Sequence, residues 1–598
     1  MSAAAVAKGG SGDSDVMTVP TRARKMLLAV ISGLLLACAF PRIWQGWAAW
    51  VALVPLLVTI RSQSVRAAAA YGWLAGFVFY LCTLYWISDT ISNFTRITPL
   101  LADGVWVLLA AVAAYSFTFF TAGLQWLATA GISRLVAAPV VWVIAEWART
   151  FFIAAFPWNS LGYSQVDYVP MIQIAEWTSV YGISAAIVLT NVALAELWIR
   201  WRRRISRQLL TTFSAAAPAW ALILVAMLAP AILFAYGAAR VRMLDAQPYD
   251  GALRVGVVQG NVAQSQKWDV QYQNEILARY LELSAQAADQ GARLVIWPEA
   301  ALPFYFSLDE RTVQVAELAR RRGLDMLIGA PGLALGPDDR PTPYNQAWLV
   351  RADGSVQGPY DKMQLVPFGE YVPLQGLFGW VEIAVQAIGE FGRGTEYTVF
   401  ESARLSPLAT RPQEQNDAAR EQDAAREEAA TREEDATREV DARREEDAVR
   451  EVDAAREVDA AREARFSTLI CYEGIFPSLT RRFAARGIDF LVNISNDAWY
   501  GDTAAPDQHL AMAALRAVEN RMPMVRATNT GISAFITAQG HIGPTTFLFE
   551  PDVMVETLLT RRNWSFYREF GDVFLYGCMA VGGLLVVLRV RAGGAARS

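Results

Sequence analysis

A cysteine thiolate can attack a carbonyl carbon, a carboxylate can take the thiol proton, and an ammonium group can hold the oxyanion that forms. The 598-residue chain offers one of each at or just beyond an apolar run. Cys471 ends the strand-like part of F-S-T-L-I-C-Y-E-G (Phe466 to Gly474), and a helix-like segment from Pro477 to Arg486 follows. The thiol should therefore sit on a strand-to-helix turn whose next backbone N–H groups are free to bind an anion. Glu299 follows the run Leu294 to Pro298, which delivers a carboxylate at the C-terminal end of a strand, where ligands gather in α/β sheets. Lys362 lies in Y-D-K-M-Q-L-V-P-F-G-E-Y, a mostly apolar loop that also supplies Glu370. Taken singly, each has a plain structural reading: a buried thiol, a cap, a surface charge. Their joint occurrence points to covalent catalysis on a carbonyl.

The elements that must carry these residues fall into two kinds. Hydrophobic residues make up 54% of the chain and gather towards its two ends, which reads as a membrane protein. Runs at Met26 to Phe40 and Trp44 to Ile60 read as a short helical hairpin rather than a cleaved signal, because apolar sequence resumes at once after Pro41 and Arg42. Further spans are expected at Ala68 to Ser88, Gly104 to Thr129, Leu135 to Ala155, Ser179 to Ile199, Ala216 to Ala238 and Val573 to Val590, eight in all. Short loops on one side hold Arg61, Arg66, Arg134 and the cluster from Arg200 to Arg207, against only Arg42 and Arg96 on the other. By the positive-inside rule the block between spans seven and eight lies outside the cytoplasm. Within span five, Glu146 and Arg149 share a helical face and are expected to pair with each other. The uncharged loop Phe156 to Gln165 reads as an interfacial anchor or part of a substrate mouth.

From about Leu253 short β-rich runs alternate with amphipathic helices, an α/β layered pattern. The four cysteines suggest no disulfide framework, and His509 and His541 alone supply a metal site or Ser-His-Asp triad poorly. The expected organisation is a disordered basic tail at 1–25, a seven-span domain at 26–240, a catalytic domain at 245–565, and a final span with its tail at 571–598. A charged insert at about 411–465 interrupts the catalytic domain. There D-A-x-R-E-x repeats eight times from Asp417 to Ala464, with 9 Arg against 7 Asp and 11 Glu and no apolar stripe. It is expected to be a partly helical loop without a catalytic role, whose flanks near Val399 and Phe466 are neighbours in a sheet.

The strings W-P-E at 297–299, Y-D-K-M-Q-L-V-P-F-G-E-Y at 360–371, L-I-C-Y-E at 469–473 and N-I-S-N-D-A-W-Y-G-D at 493–502 resemble those of the apolipoprotein N-acyltransferases. These are bacterial inner-membrane enzymes of the nitrilase superfamily. The resemblance extends over Q-G-N at 259–261, Q-S-Q-K-W at 264–268, the Phe156 to Gln165 loop and the eight-span plan, leaving out residues 1–20 and about 405–465. It implies an αββα sandwich between spans seven and eight, with Glu299 as general base, Lys362 as oxyanion stabiliser and Cys471 as nucleophile. It further implies Glu370 as a supporting carboxylate, Trp268, Tyr472 and Glu473 as pocket-shaping residues, and the Tyr472 N–H as a second oxyanion donor.

The implied reaction moves an acyl chain from a membrane phospholipid through a Cys471 thioester to the amino group of a diacylglyceryl-cysteine on an apolipoprotein. An ester is exchanged for a more stable amide, so no cofactor, nucleotide or metal is required. The implied setting is the inner membrane, with the catalytic domain on the periplasmic side, the chain acting as a monomer and no nucleic acid as partner. The apolar segment Leu374 to Ile388 is expected to be a lid over the thioester. Two other classes stay open: a membrane-tethered amide hydrolase with the same three residues, which does not explain the spans, and a non-enzymatic scaffold or transporter, which leaves the converging motifs without a purpose.

Overall fold

A computed structural model describes residues 21–94, 97–151, 156–205, 219–335, 340–367, 369–371, 391–406 and 462–595. Among these, five helices are long and apolar enough to cross a membrane: Val65–Thr83, Pro99–Ala128, Val180–Arg202, Trp220–Asp245 and Val573–Ala592. The remaining expected spans are shorter. The first arm of the hairpin is helix Arg22–Cys38 and the fifth span is helix Arg134–Ala148, with 17 and 15 residues. The second arm is broken into Gly46–Ala48, Ala49–Ala52 and Val54–Ile60.

Among the described residues, twelve strands lie between helices Ala219–Asp245 and Val573–Ala595: β1 Gly251–Gln259, β2 Leu294–Ile296, β3 Asp325–Leu335, β4 Pro341–Val350, β5 Val356–Asp361, β6 Phe400–Arg404, β7 Glu463–Ile470, β8 Phe490–Ser495, β9 Met524–Thr528, β10 Ala534–Ile536, β11 Ile542–Thr545 and β12 Asp552–Thr560. They form two six-stranded sheets, ordered β12-β1-β2-β3-β4-β5 and β11-β10-β9-β8-β7-β6. The pairing runs antiparallel, parallel, parallel, antiparallel, antiparallel in the first sheet from β12 and again in the second from β6. The two sheets thus repeat one plan, each with a parallel centre.

Val255, Leu294 and Leu327 from the first sheet and Phe466, Phe490 and Val525 from the second are fully buried in one shared cluster between the sheets. On the outer side of the first sheet a second cluster packs Ile276, Leu277 and Tyr280 of helix Gln273–Asp289, and Val315 and Leu318 of helix Thr312–Arg322, against Val295 and Met326. Helices Pro477–Ala484 and Ala505–Asn520 cover the outer side of the second sheet, where Phe483, Ala511 and Ala514 are buried in the same contiguous core as Leu469. These are the four layers of an αββα sandwich.

The hairpin at the base of the charged insert is present, with Phe400 paired to Phe466 and their rings 5.5 Å apart. It also corrects the insert's boundary. Arg462 to Ala464 continue the repeat chemically but belong to the folded domain: Arg462 holds Asp489 at 2.6 Å, Glu463 holds Arg351 at 2.6 Å, and Ala464 is fully buried. Residues 407–461 and the expected lid, 374–388, lie outside the described residues.

Glu146 and Arg149 approach each other only to 4.0 Å, and their main partners lie elsewhere. Arg149 donates to Tyr80 Oη at 2.7 Å, Trp158 O at 2.8 Å and Ser160 Oγ at 3.0 Å, while Glu146 Oε1 accepts from Leu161 N at 2.6 Å. The pair therefore fastens the Phe156 to Gln165 loop. That loop is no exposed anchor: Trp158 is 1% exposed and donates through Nε1 to Gln508 on helix Ala505–Asn520 at 2.6 Å.

Candidate active site

Three strand ends converge. Glu299 follows β2, Lys362 follows β5 directly, and Cys471 follows β7. Glu299 can sit where it does because the neighbouring strand is bare at Gly329, where a Cβ would lie 2.2 Å from Pro298 O and 2.8 Å from Glu299 Cα. Any larger residue there would push the carboxylate out of place. Lys362 is fixed by its own backbone, its N–H donating to Asn345 O at 2.9 Å and its C=O accepting from Gly394 N at 2.9 Å.

The ammonium of Lys362 lies 3.0 Å from Glu299 Oε1 and 3.0 Å from Glu370 Oε1, and it is 1% exposed. Asn345, on β4, donates through Nδ2 to the same two oxygens, at 2.7 Å to Glu299 and 3.0 Å to Glu370. Glu299 Oε2 accepts from Asn496 N at 2.9 Å, and Glu370 Oε2 from Val366 N at 2.8 Å. Asn496 follows β8, the strand that corresponds to β2 in the repeated sheet plan, so equivalent strand ends meet across the sandwich.

These contacts set the charges. Burial opposes ionisation of Glu299, but Lys362 and the Asn345 amide outweigh it and hold the carboxyl below its ordinary range. Burial likewise opposes the charge of Lys362, and Glu299 and Glu370 overcome it and keep the ammonium above its ordinary range. For Cys471, burial pushes the thiol well up and the charge of Glu299 adds to that, with Lys362 working against both. The resting site is therefore a carboxylate, an ammonium and a protonated thiol, which is the state in which Glu299 can accept a proton. A Lys ammonium has three N–H donors. Two are engaged by Glu299 and Glu370 among the described residues, which leaves one for a developing oxyanion.

Cys471 is 5% exposed and sits at φ +52°, a left-handed backbone that a side chain other than glycine seldom adopts. Conformations of this kind cost about 1–3 kcal/mol and persist where the surroundings over-determine them. Glu473 supplies part of that constraint. It is fully buried, its Oε2 accepting from Ile470 N at 2.7 Å and its Oε1 from Met363 N at 2.6 Å and Gln364 N at 3.0 Å. Tyr360 Oη donates to both of its oxygens at 2.8 Å. One carboxylate thereby ties the strand end of Cys471 to the loop of Lys362.

Of the other residues singled out in the sequence, Tyr472 is 3% exposed with its ring edge-on to Phe476, and Trp268 is half-exposed beside the short helix Gln264–Lys267. Four residues near the site were not anticipated in any role: Asn345, Asn496, His509 and Lys267. Lys267 is buried, donates through Nζ to Glu299 O at 3.3 Å, and has its pKa pushed down to about 8 by burial, partly offset by Glu299. Three of the four lie within or near strings already quoted, Lys267 in Q-S-Q-K-W, Asn496 in N-I-S-N-D-A-W-Y-G-D and His509 a few residues beyond. Asn345 gives no such signal.

Residues 32–193 match the family model described as the apolipoprotein N-acyltransferase N-terminal domain, and residues 254–406 and 425–559 match the carbon-nitrogen hydrolase model. An apolipoprotein N-acyltransferase of Geobacter metallireducens is 34% identical over 95% of this chain and 96% of its own length. One of Chlorobaculum tepidum is 27% identical over 94% and 96%. Among solved structures, an amidase from Nesterenkonia sp. aligns at 18% identity and a TM-score of 0.33, covering 55% of this chain and 97% of the amidase.

Proposed function

The chain belongs to the apolipoprotein N-acyltransferase family, and from that premise we propose that Cys471 carries the transferred acyl group as a thioester, with Glu299 as its base and Lys362 holding the oxyanion. The observation that supports this most is the single buried cluster in which Lys362 bridges Glu299 and Glu370 at 3.0 Å each while both Glu299 and Lys362 act on the thiol. The chain is an acyltransferase of lipoprotein maturation. On this reading the donor is a membrane phospholipid and the acceptor a diacylated apolipoprotein.

In the first half-reaction Glu299 takes the thiol proton as Sγ attacks the ester carbonyl carbon. The oxyanion is received by the third N–H of Lys362 and the backbone N–H of Tyr472. The bond from the carbonyl carbon to the glycerol oxygen then breaks, and protonated Glu299 returns the proton to the departing alkoxide, releasing a lysophospholipid. In the second half the acceptor amine attacks the thioester carbon and gives a proton to Glu299. The C–S bond breaks, the proton passes to the sulfur, and an amide is released. Glu370 and Asn345 hold Lys362 and Glu299 in register throughout. The setting that fits is the bacterial inner membrane, crossed eight times, with the α/β domain on the periplasmic side and the chain acting as a monomer.

Intact mass after incubation with phospholipid tests the assignment. We expect an acyl adduct on Cys471 in the parent, none in Cys471→Ala, none in Glu299→Gln with its fold retained, and adduct formation slowed about 10²-fold or more in Lys362→Ala. An adduct on the Cys471→Ala protein overturns the choice of nucleophile, and a Lys362→Ala protein within threefold of the parent removes Lys362 from its role. Free fatty acid without adduct points to the hydrolase reading instead.

A further inference from the structure

We infer that His509 is a positioning residue for acyl transfer: it fixes the peptide plane whose N–H, that of Tyr472, receives the oxyanion. The inference rests on Cys471 as nucleophile and adds a residue to which the mechanism above gives no part.

The geometry determines the proton on the ring. His509 is fully buried, with Nδ1 3.1 Å from Arg526 Nη2 and Nε2 3.2 Å from Cys471 O. Nδ1 also lies 3.3 Å from Asp497 Oδ1, so it faces one donor and one acceptor and does not by itself fix the tautomer. The assignment comes from Nε2, which faces a carbonyl oxygen that can only accept, so Nε2 carries a proton and donates it. The rest of the network agrees with this placement. Arg526 Nη2 has a second hydrogen, which goes to Asp497 Oδ2 at 2.7 Å, and Asp497 Oδ1 accepts from Ser495 Oγ at 2.7 Å. Burial, with the Arg526 charge beside it, holds the imidazole below its ordinary pKa, which favours a neutral ring with its one proton on Nε2.

The bond matters because of the atom it reaches. The carbonyl of Cys471 and the N–H of Tyr472 belong to one planar peptide unit and point in opposite directions. A donor that fixes the carbonyl fixes the N–H, and a hydrogen bond to the oxygen also polarises the N–H as a donor. Cys471, at φ +52°, opens the short 3-10 helix Cys471–Ile475 directly after β7, and Asn493 Nδ2 reaches the same carbonyl only at 3.5 Å, so His509 supplies the shorter side-chain bond to it. The ring itself cannot swing away. Trp158, from the loop fastened by Glu146 and Arg149, lies against it at a centroid distance of 5.8 Å, and it anchors the preceding residue, Gln508, through Nε1 at 2.6 Å.

His509→Gln and His509→Asn form the test, in full-length protein held in mixed micelles of detergent and dipalmitoyl phosphatidylethanolamine. A glutamine amide can reach the place of Nε2 and donate to Cys471 O, whereas an asparagine amide reaches only the place of Nδ1 and serves Arg526. The rate of adduct formation on Cys471 is followed by mass as phospholipid is varied. We expect His509→Asn to lower the maximal rate by about 10–10²-fold, within the range for a weakened oxyanion donor. Its half-saturating phospholipid concentration should stay within about threefold of the parent, and His509→Gln should be at least about tenfold faster than His509→Asn. Equal rates in the two variants, or His509→Asn within twofold of the parent, overturn the inference while leaving the nucleophile in place. A parent without an adduct on Cys471 overturns both.

Discussion

Glu473 offers the sharpest test of how the site is held, because it is fully buried and its carboxylate gathers three backbone N–H groups and the Tyr360 hydroxyl. In Glu473→Gln the side chain keeps one acceptor oxygen and gains an NH2. With the oxygen in the place of Oε1, the N–H groups of Met363 and Gln364 are still served, and the NH2 faces the N–H of Ile470, donor to donor, where Oε2 stood at 2.7 Å. The flipped amide strands two N–H groups in place of one. One buried unsatisfied N–H costs about 1–3 kcal/mol, so at least that much stability is lost. Glu473→Ala strands all three N–H groups and the Tyr360 hydroxyl, and should cost about 3 kcal/mol or more. The loss falls on the junction between the strand end of Cys471 and the loop of Lys362, where a displacement of about 1 Å can cost roughly 10²-fold in rate. We therefore expect Glu473→Gln to lower the thermal midpoint by a few degrees and the maximal rate of adduct formation by about 10–10²-fold, with half-saturation by phospholipid unchanged. Calorimetry and timed intact-mass measurements on solubilised protein read these quantities. A Glu473→Gln protein with the stability and rate of the parent would refute the positioning role. One with an unchanged maximal rate and a tenfold weaker half-saturation would make Glu473 a substrate contact.

Two further outcomes are expected. Burial and the charge of Glu299 raise the Cys471 thiol, so thiolate is scarcer than in a free cysteine, whose pKa is about 8.5; with the other three cysteines replaced, alkylation of Cys471 by iodoacetamide should show no half-rise at or below pH 8.5, and one there would contradict the protonated resting thiol. Because Leu405 N donates to Arg462 O at 2.9 Å, replacing residues 407–461 by a four-residue Gly-Ser link should close the β6–β7 hairpin and leave the acyl-transfer rate within twofold, and a deletion protein that folds but does not transfer would give the insert a part in the reaction.

The chemistry-bearing residues were legible where local sequence alone creates the exposure. Cys471 and Glu299 each break an apolar strand run abruptly, and a polar group at the end of such a run has few other readings. Asn345 was not legible, because a polar residue inside a strand reads as one more outward side chain. Only the pairing of β4 with β3 and β5 brings its amide between two carboxylates. The outer strands β5, β6, β11 and β12 are hard to read from sequence for a related reason: each carries Gly, Pro, Ser or acidic residues and is partly exposed, so no continuous apolar run marks it. Arg462 to Ala464 repeat the insert's motif and were assigned to it. The register of β6 against β7 and the ion pair to Asp489 decide their place, and neither is written in a six-residue period.

Helix Ala505–Asn520 shows why the two halves of the chain have to be read together. Taken alone it is amphipathic, and Gln508, His509, Arg516 and Glu519 would be assigned to a solvated face. All four are buried. Buried polar groups persist only where hydrogen bonds replace the lost water, and a buried charge needs a partner as well. Gln508 accepts from Trp86 at 3.2 Å and donates to Thr83 O at 3.1 Å, Arg516 donates to Tyr163 Oη at 3.1 Å, and Glu519 accepts from Ser179 Oγ at 2.6 Å. Just beyond the helix, Arg521 donates to Glu176 at 2.7 Å and to Gln173 at 2.6 Å. Each partner belongs to the N-terminal half. Breaking one buried ion pair by removing its partner costs about 3–5 kcal/mol, and each stranded neutral group about 1–3 kcal/mol. Swinging the α/β domain away from the N-terminal helices would break several of these at once. The two halves therefore move as one body, and the same helix that is locked to the N-terminal half presents His509 to the carbonyl of the nucleophile. Access for a lipid must then come from local movement around the site, because a hinge between the domains would disassemble the contacts that position Cys471.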